Sequence, residues 1–173
     1  MSPPEVWGPP IWTLFHMLAE KIDENAYQSH SSQLFSYISR ICRFLPCPEC
    51  SKDATQFLDK IKIQNIKDKQ AFKGMLFLFH NHVNAKKRKP LFKYENMDRY
   101  KYCRVVSVIN RFIAVYNTKG NLQQINESFQ RQFVIKDFKG WLMSNIRVFI
   151  TNPIPQLPPP NPVSEKNEAN NTS

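Results

Sequence analysis

Cys47-Pro48-Glu49-Cys50 sets two thiols three positions apart. Such a pair can close a small, readily exchanged disulfide, supply half of a zinc site, or sit buried and inert. In the redox reading the pair stands at a helix N-terminus, where free N–H groups and the helix dipole stabilise a thiolate. The short ring also keeps the resolving thiol beside its partner, which speeds exchange. In the metal reading two further ligands are needed. The chain has no second C-x-x-C and no H-x-x-x-H, only isolated Cys42 and Cys103 with His16, His30, His80 and His82. A C-x-x-C without a matching second half is weak support for zinc, so no metal ligands are assigned.

Two further groups of residues share helical faces. His80, Asn84 and Lys87 follow i, i+4, i+7 spacing, and Asn81 precedes Asn84 by one turn. Beside a phenylalanine stripe, that face suits a flat, polar-edged, anionic ligand: aromatics cover its plane, amides read its edges and lysines meet phosphates. The plainer alternative is a polar edge satisfied by solvent. Trp12 and His16 lie one turn apart earlier in the chain. Alone, that pair reads as core and rim.

The elements that must position these residues are helical. Pro9 and Pro10 are suited to opening a first helix of about 10–24. A second runs roughly from Ser32 to Leu45 and ends at Pro46. A third starts at the C-x-x-C, with Ala54, Phe57, Leu58 and Ile61 as its stripe. Beyond a polar connection at 64–69, Phe72, Leu76, Phe79 and Val83 define a fourth, which ends in the run Lys86-Lys87-Arg88-Lys89. A fifth segment around 97–117 carries Cys103, Val105, Val106, Ile109, Phe112, Ile113 and Tyr116. The region 121–150 reads as two more helices split near Lys136, although Gly140-Trp141 fits no simple stripe. From Asn152 the composition turns proline-rich and then polar, as expected of an extended, largely disordered tail.

Composition narrows the classes. With 173 residues and 42% apolar content, one proper core can be buried. Only four glycines, against thirteen phenylalanines, disfavour a hairpin-rich fold. The net charge of +10 is spread along the chain, so nucleic-acid binding is not expected. No apolar stretch reaches the ~18 residues that span a bilayer. The N-terminal residues also lack the basic start and apolar block of a secretory signal. A cytosolic setting follows as the expectation, and there a C-x-x-C is more often redox or metal chemistry than a structural staple.

Taken together, three motifs change the weighting. Trp7-Gly8-Pro9-Pro10-Ile11-Trp12-Thr13-Leu14-Phe15-His16, then Cys47-Pro48-Glu49-Cys50, then His80-Asn81-His82-Val83-Asn84 with Lys89-Pro90-Leu91-Phe92, resemble the FAD-dependent sulfhydryl oxidases of the Erv/ALR family in order and spacing. The resemblance covers about 5–102 and is nearest to the compact members of large DNA viruses. It implies an all-α fold: a four-helix bundle plus a short fifth helix holding FAD, here with an additional C-terminal helical segment. The implied division is 1–104 for the oxidase domain, 105–150 for added packing or assembly helices, and 151–173 for the tail.

The resemblance also implies roles. Trp12 and His16 would surround the adenine end, with His80, Asn81 and Asn84 on the flavin nucleotide. Lys87 or Lys89 would approach the phosphates and Phe92 would close the site, with Gly8, Val83 and Tyr100 completing it. Cys50 would face the flavin ring and Cys47 the substrate. The implied activity is oxidation of protein dithiols, virion proteins among them, with O2 as acceptor and hydrogen peroxide as product. A homodimer in the host-cell cytoplasm or virion is implied with it. The competing class is a zinc-stabilised or flavin-fold interaction module with a basic partner surface.

The chain departs from the family pattern in three places. Phe77 and Tyr94 stand where a structural disulfide is usual. Lys21-Ile22 replaces an aromatic pair, and Tyr100 or Tyr102 replaces a late tryptophan. No cysteine pair in either tail could serve as a shuttle. Cys42 reads as a small buried hydrophobe, with a relay or a link to Cys103 as the alternative.

Overall fold

A computed structural model describes residues 3–117 and 125–150. The proline-rich tail lies outside the described residues, as do 118–124. The described chain is helical throughout: α1 (Pro4–Lys21), α2 (Tyr27–Arg43), α3 (Pro48–Leu58), α4 (Lys69–Lys86), α5 (Val105–Tyr116), α6 (Ile125–Ser144) and the short α7 (Arg147–Ile150). Tighter 3₁₀ turns occupy Ile63–Asn65 and Tyr94–Tyr102. Among the described residues there is no strand, and no helix is long and apolar enough to cross a membrane.

α1 begins six residues before the expected start, so Pro9 and Pro10 fall inside it and Pro4 takes the first turn. Two interior prolines each remove an i→i−4 bond. Burial offsets that loss. Trp7, Ile11, Leu14 and Leu18 form one stripe, and extending the helix backwards carries Trp7 into the core at 6% exposure. The expected segment 97–117 is instead two elements. Its first half is the 3₁₀ turn, and α5 starts only at Val105.

Helix α6 does not split near Lys136; it runs unbroken through Gly140 to Ser144. Its buried positions, Ser128, Arg131, Val134, Phe138, Trp141 and Leu142, recur every three or four residues. Two of them are polar, while Phe129 and Phe133 are exposed on the outer face. The apolar pattern therefore conceals the face that packs.

α1 packs against α4, α5 and the 3₁₀ turn, α2 packs against α3 and α6, and α3 meets α4. A single apolar cluster runs through the helices. Val105, Ile109, Phe112 and Tyr116 from α5 join it, as do Val134, Phe138 and Trp141 from α6. The Tyr116 hydroxyl donates to the Ile41 carbonyl (2.9 Å), and the Trp141 ring N–H donates to Gln33 Oε1 (3.1 Å). A buried ion pair joins Lys73 of α4 to Glu20 of α1 at 2.5 Å.

Candidate active site

Cys47 is the N-cap of α3, and its Sγ accepts the Cys50 backbone N–H at 3.2 Å. The two cysteines are joined as a disulfide, with Cα atoms 5.2 Å apart. Pro48 fills the first turn, where its missing N–H removes no helical bond. The helix start thus directs its free N–H groups at the sulfur most able to become a thiolate.

Cys50 opens onto a cavity of about 350 Å³, within the range of small-molecule and cofactor sites. Ten of the anticipated residues line it: Gly8, Trp12, Cys50, His80, Val83, Asn84, Lys87, Lys89, Phe92 and Tyr100. Helices α1, α3 and α4 and the 3₁₀ turn bring them together. Trp12 and His80 lie face to face, with ring centroids 4.0 Å apart and planes 8° from parallel. Phe92 stacks on His80 at 4.6 Å, and Tyr100 stacks on His16 at 4.9 Å.

His16 stands behind the wall. It is fully buried, and its Nε2 is 2.9 Å from His80 Nδ1. Burial, reinforced by the neighbouring His80 and Arg99, pushes the His16 pKa down to about 3. Burial and then Arg99 push His80 down to about 4. Both rings are neutral near pH 7. His16 Nδ1 is buried with no hydrogen-bond partner. A buried lone pair is tolerated better than a buried orphan N–H. The favoured tautomer therefore has His16 Nε2–H donating to His80 Nδ1, which leaves His80 with its Nε2–H as donor.

Asn81 does not line the cavity. Its amide is spent on the backbone of Phe92, accepting from N–H at 2.7 Å and donating to C=O at 3.0 Å. Asn84 donates to the Pro90 carbonyl at 3.1 Å. Both asparagines fasten the loop after α4 onto that helix, and so hold Phe92 over the cavity. α4 closes with a Schellman arrangement: Lys89 N–H bonds the Asn84 carbonyl at 2.9 Å and Arg88 N–H bonds the Ala85 carbonyl at 3.1 Å. Arg88 takes the left-handed position (φ 52°) usually left to glycine.

The basic run reaches the rim of the cavity already paired. Lys86 meets Asp53 at 2.6 Å, Lys87 meets Glu49 at 3.7 Å and Lys89 meets Glu5 at 3.3 Å. Hydrogen bonding from Lys86 holds the Asp53 carboxyl below its ordinary range. Other cavity residues escaped sequence reasoning, Arg99 and Cys42 among them. Arg99, exposed on the 3₁₀ turn, lies over the rings of Tyr100 (5.1 Å) and Phe92 (5.6 Å). Cys42 of α2 also lines the cavity, and burial pushes its thiol pKa far up. No local spacing pointed to either residue, because each arrives through tertiary packing. Cys103 lies on a different depression with Arg104 and Arg111.

A flavin dinucleotide is compatible with this lining. Flat aromatic walls, four cations at the mouth and a neutral imidazole donor match its ring systems and phosphates. A Cβ placed on Gly8 meets no atom within 4 Å, so that wall is open. Among the described residues, no cluster of histidine, cysteine or carboxylate could hold a metal ion.

The sequence profile of the Erv1 / Alr family matches residues 9–103. Two viral relatives carry the name "Putative FAD-linked sulfhydryl oxidase". The one from Invertebrate iridescent virus 3 is 27% identical over 88 residues, which is 50% of this chain and 60% of that protein. The one from Invertebrate iridescent virus 6 is 28% identical over 99 residues, 51% of this chain and 85% of that protein. No solved structure matches.

Proposed function

We propose, on the premise that this chain belongs to the Erv1/Alr family, that it is a FAD-linked sulfhydryl oxidase that makes disulfides in protein substrates. The observation that carries the reading is the position of one disulfide. Its Cys50 lines a cavity walled by Trp12, His80, Phe92 and Tyr100 and rimmed by lysines, while Cys47 caps the helix outside that lining.

In this reading a substrate thiolate attacks Sγ of Cys47 and breaks the Cys47–Cys50 bond, giving a mixed disulfide and a Cys50 thiolate. The second substrate thiol, as thiolate, attacks its own partner sulfur, so the substrate leaves oxidised and Cys47 leaves reduced. The N-terminal N–H groups of α3 stabilise the thiolate at each stage. FAD, when bound, accepts the electron pair of the Cys47–Cys50 dithiol and passes it to O2, which becomes hydrogen peroxide.

The remaining residues bind and orient. Trp12, His80 and Phe92 supply the flat walls, with Tyr100 behind Phe92. Lys86, Lys87, Lys89 and Arg99 offer charge to a pyrophosphate, giving up Asp53, Glu49 and Glu5 in exchange. His16 fixes the His80 tautomer, and Asn81 and Asn84 hold the loop. A homodimer, an assembly role for 105–150, and virion-protein substrates in the host cytoplasm or virion belong to the same proposal and rest on the family resemblance.

The test is direct. Purified protein should be yellow, and a dithiol added without oxygen should bleach its flavin absorbance. Replacing Cys47 or Cys50 by serine should reduce oxygen consumption to the uncatalysed rate. Colourless protein, or turnover that survives either replacement, defeats the reading.

A further inference from the structure

A second cavity, of about 250 Å³, opens beside the substrate-facing cysteine. Pro46 and Pro48, the immediate neighbours of Cys47, form part of its wall. Arg43 from the end of α2 and Lys52 from α3 stand on the same wall, and α6 supplies Glu127 and Arg131. This helix lies beyond the 9–103 span that matches the family profile, so the surface beside Cys47 is completed by an element outside that span.

The charges in this groove are unequal. Arg131 is 2% exposed and reaches the Phe44 carbonyl, so its guanidinium is fixed in the floor. Arg43 shares its charge only loosely with Asp59, 3.8 Å away, and both side chains are mostly exposed. Among the described residues Lys52 forms no ion pair with a carboxylate. Glu127 is the one acidic residue of the lining, and Glu49 turns towards Lys87 on the flavin side. The exposed cations Arg43 and Lys52 outnumber the single lining carboxylate, Glu127, and leave a positive groove next to the sulfur that is attacked. That field favours acidic segments of a polypeptide at encounter.

We propose that this groove is the docking site for the substrate polypeptide and selects cysteines flanked by acidic residues, with Arg43 and Lys52 as attracting groups and Glu127 as a brake. The proposal rests on the thiol-oxidase reading for its substrate and adds the substrate's chemical class. Dithiothreitol needs no docking, so it serves as the internal reference.

The experiment compares reduced Cys-x-x-Cys peptides flanked by glutamates or by lysines on the flavin-loaded protein. Two exposed cationic contacts, each worth about two- to fivefold, give about a tenfold preference in kcat/KM for the acidic peptide at low salt. Added salt should shrink it. Arg43→Gln with Lys52→Gln should bring the two peptides close to equal, and Glu127→Gln should raise the acidic-peptide rate about twofold. Dithiothreitol oxidation should not change in either variant. Opposite shifts from substitutions on opposite charges cannot come from general loss of structure.

A second readout omits oxygen turnover. In Cys50→Ser, the Cys47 thiolate attacks the peptide sulfur of a thionitrobenzoate-capped peptide. A peptide–Cys47 disulfide forms as the coloured thionitrobenzoate anion leaves. The same acidic preference is expected in the rate of colour release. Equal rates for the two peptides in wild type, or a preference indifferent to all three substitutions, overturns the proposal. If dithiothreitol itself is not oxidised, the enzymatic reading fails, and the colour-release rates still decide the docking site.

Discussion

The neutral histidine pair makes stability fall as the medium becomes acidic. His16 is fully buried and His80 is 9% exposed, and their pKa values are depressed to about 3 and about 4 from 6.5. Below pH 6.5 the unfolded chain takes up two protons that the folded chain refuses. Stability must therefore rise with pH through this window and be lost as pH falls. Each group contributes about 1.4 kcal/mol per pH unit once its unfolded form is fully protonated. From pH 7 to pH 5 the loss is about 2 kcal/mol for each histidine. The two rings are coupled through one hydrogen bond, so about 3 kcal/mol is expected for the pair. That is a large share of an ordinary domain's stability.

The measurement is urea unfolding at pH 7, 6 and 5, with the disulfide intact and flavin content matched. Glu5 and Asp53, whose carboxyls are held below their ordinary range, add little above pH 5. His16→Gln removes one of the two titrating rings while keeping a group able to bond His80, so the pH slope should fall by about half. A pH 5 stability within about 1 kcal/mol of the pH 7 value would refute the reasoning, as would an unchanged slope in His16→Gln. Either result means that the pair accepts a proton in the folded state.

Three other outcomes follow from single contacts. Lys73→Met should cost about 3 kcal/mol in urea unfolding, because it strands the buried Glu20 carboxylate, and Lys73→Met with Glu20→Gln should recover most of that. Arg88→Gly should stabilise by about 1 kcal/mol, since the left-handed position costs an L side chain and not glycine, whereas Arg88→Ala should gain nothing comparable. Asn81→Ala removes both bonds to the Phe92 backbone; it should cost about 2 kcal/mol and speed flavin loss on dilution.

How much of this was legible in the sequence depends on the range of the interaction. Helical faces are local, so Trp12, His80, Asn84 and Lys87 could be placed on shared faces before any fold was known. Helix starts were less legible at α1, because the local rule for proline pointed to Pro9. The burial of Trp7, a tertiary gain, moved the start to Pro4. α6 misled for a related reason. Its packing stripe uses Ser128 and Arg131, while Phe129 and Phe133 face outwards, so hydrophobic periodicity offers no clean stripe to mark one unbroken helix. Arg99 and Cys42 reach the cavity from separate elements, and no spacing within either element connects them to His80.

Phe77 and Tyr94 show how an apparent gap in a motif can be filled by different physics. Read as sequence, they mark a missing covalent tie between α4 and the segment after Phe92. In the fold their rings meet edge to face, with centroids 5.2 Å apart. Phe77 also contacts Phe92 at 6.2 Å, and Asn81 and Asn84 hold the same loop through three hydrogen bonds. An aromatic pair is worth about 1 kcal/mol and each such hydrogen bond about 1 kcal/mol. The sum, about 4 kcal/mol, matches what a structural disulfide typically supplies. The two devices differ in their response to thiols. A second disulfide would be another target for the reductants and dithiols that Cys47 meets in the proposed reaction, whereas rings and amides are indifferent to them. The loop that carries Phe92 over the cavity can then stay in place through every opening of Cys47–Cys50, which leaves that pair as the one thiol-sensitive bond among the described residues.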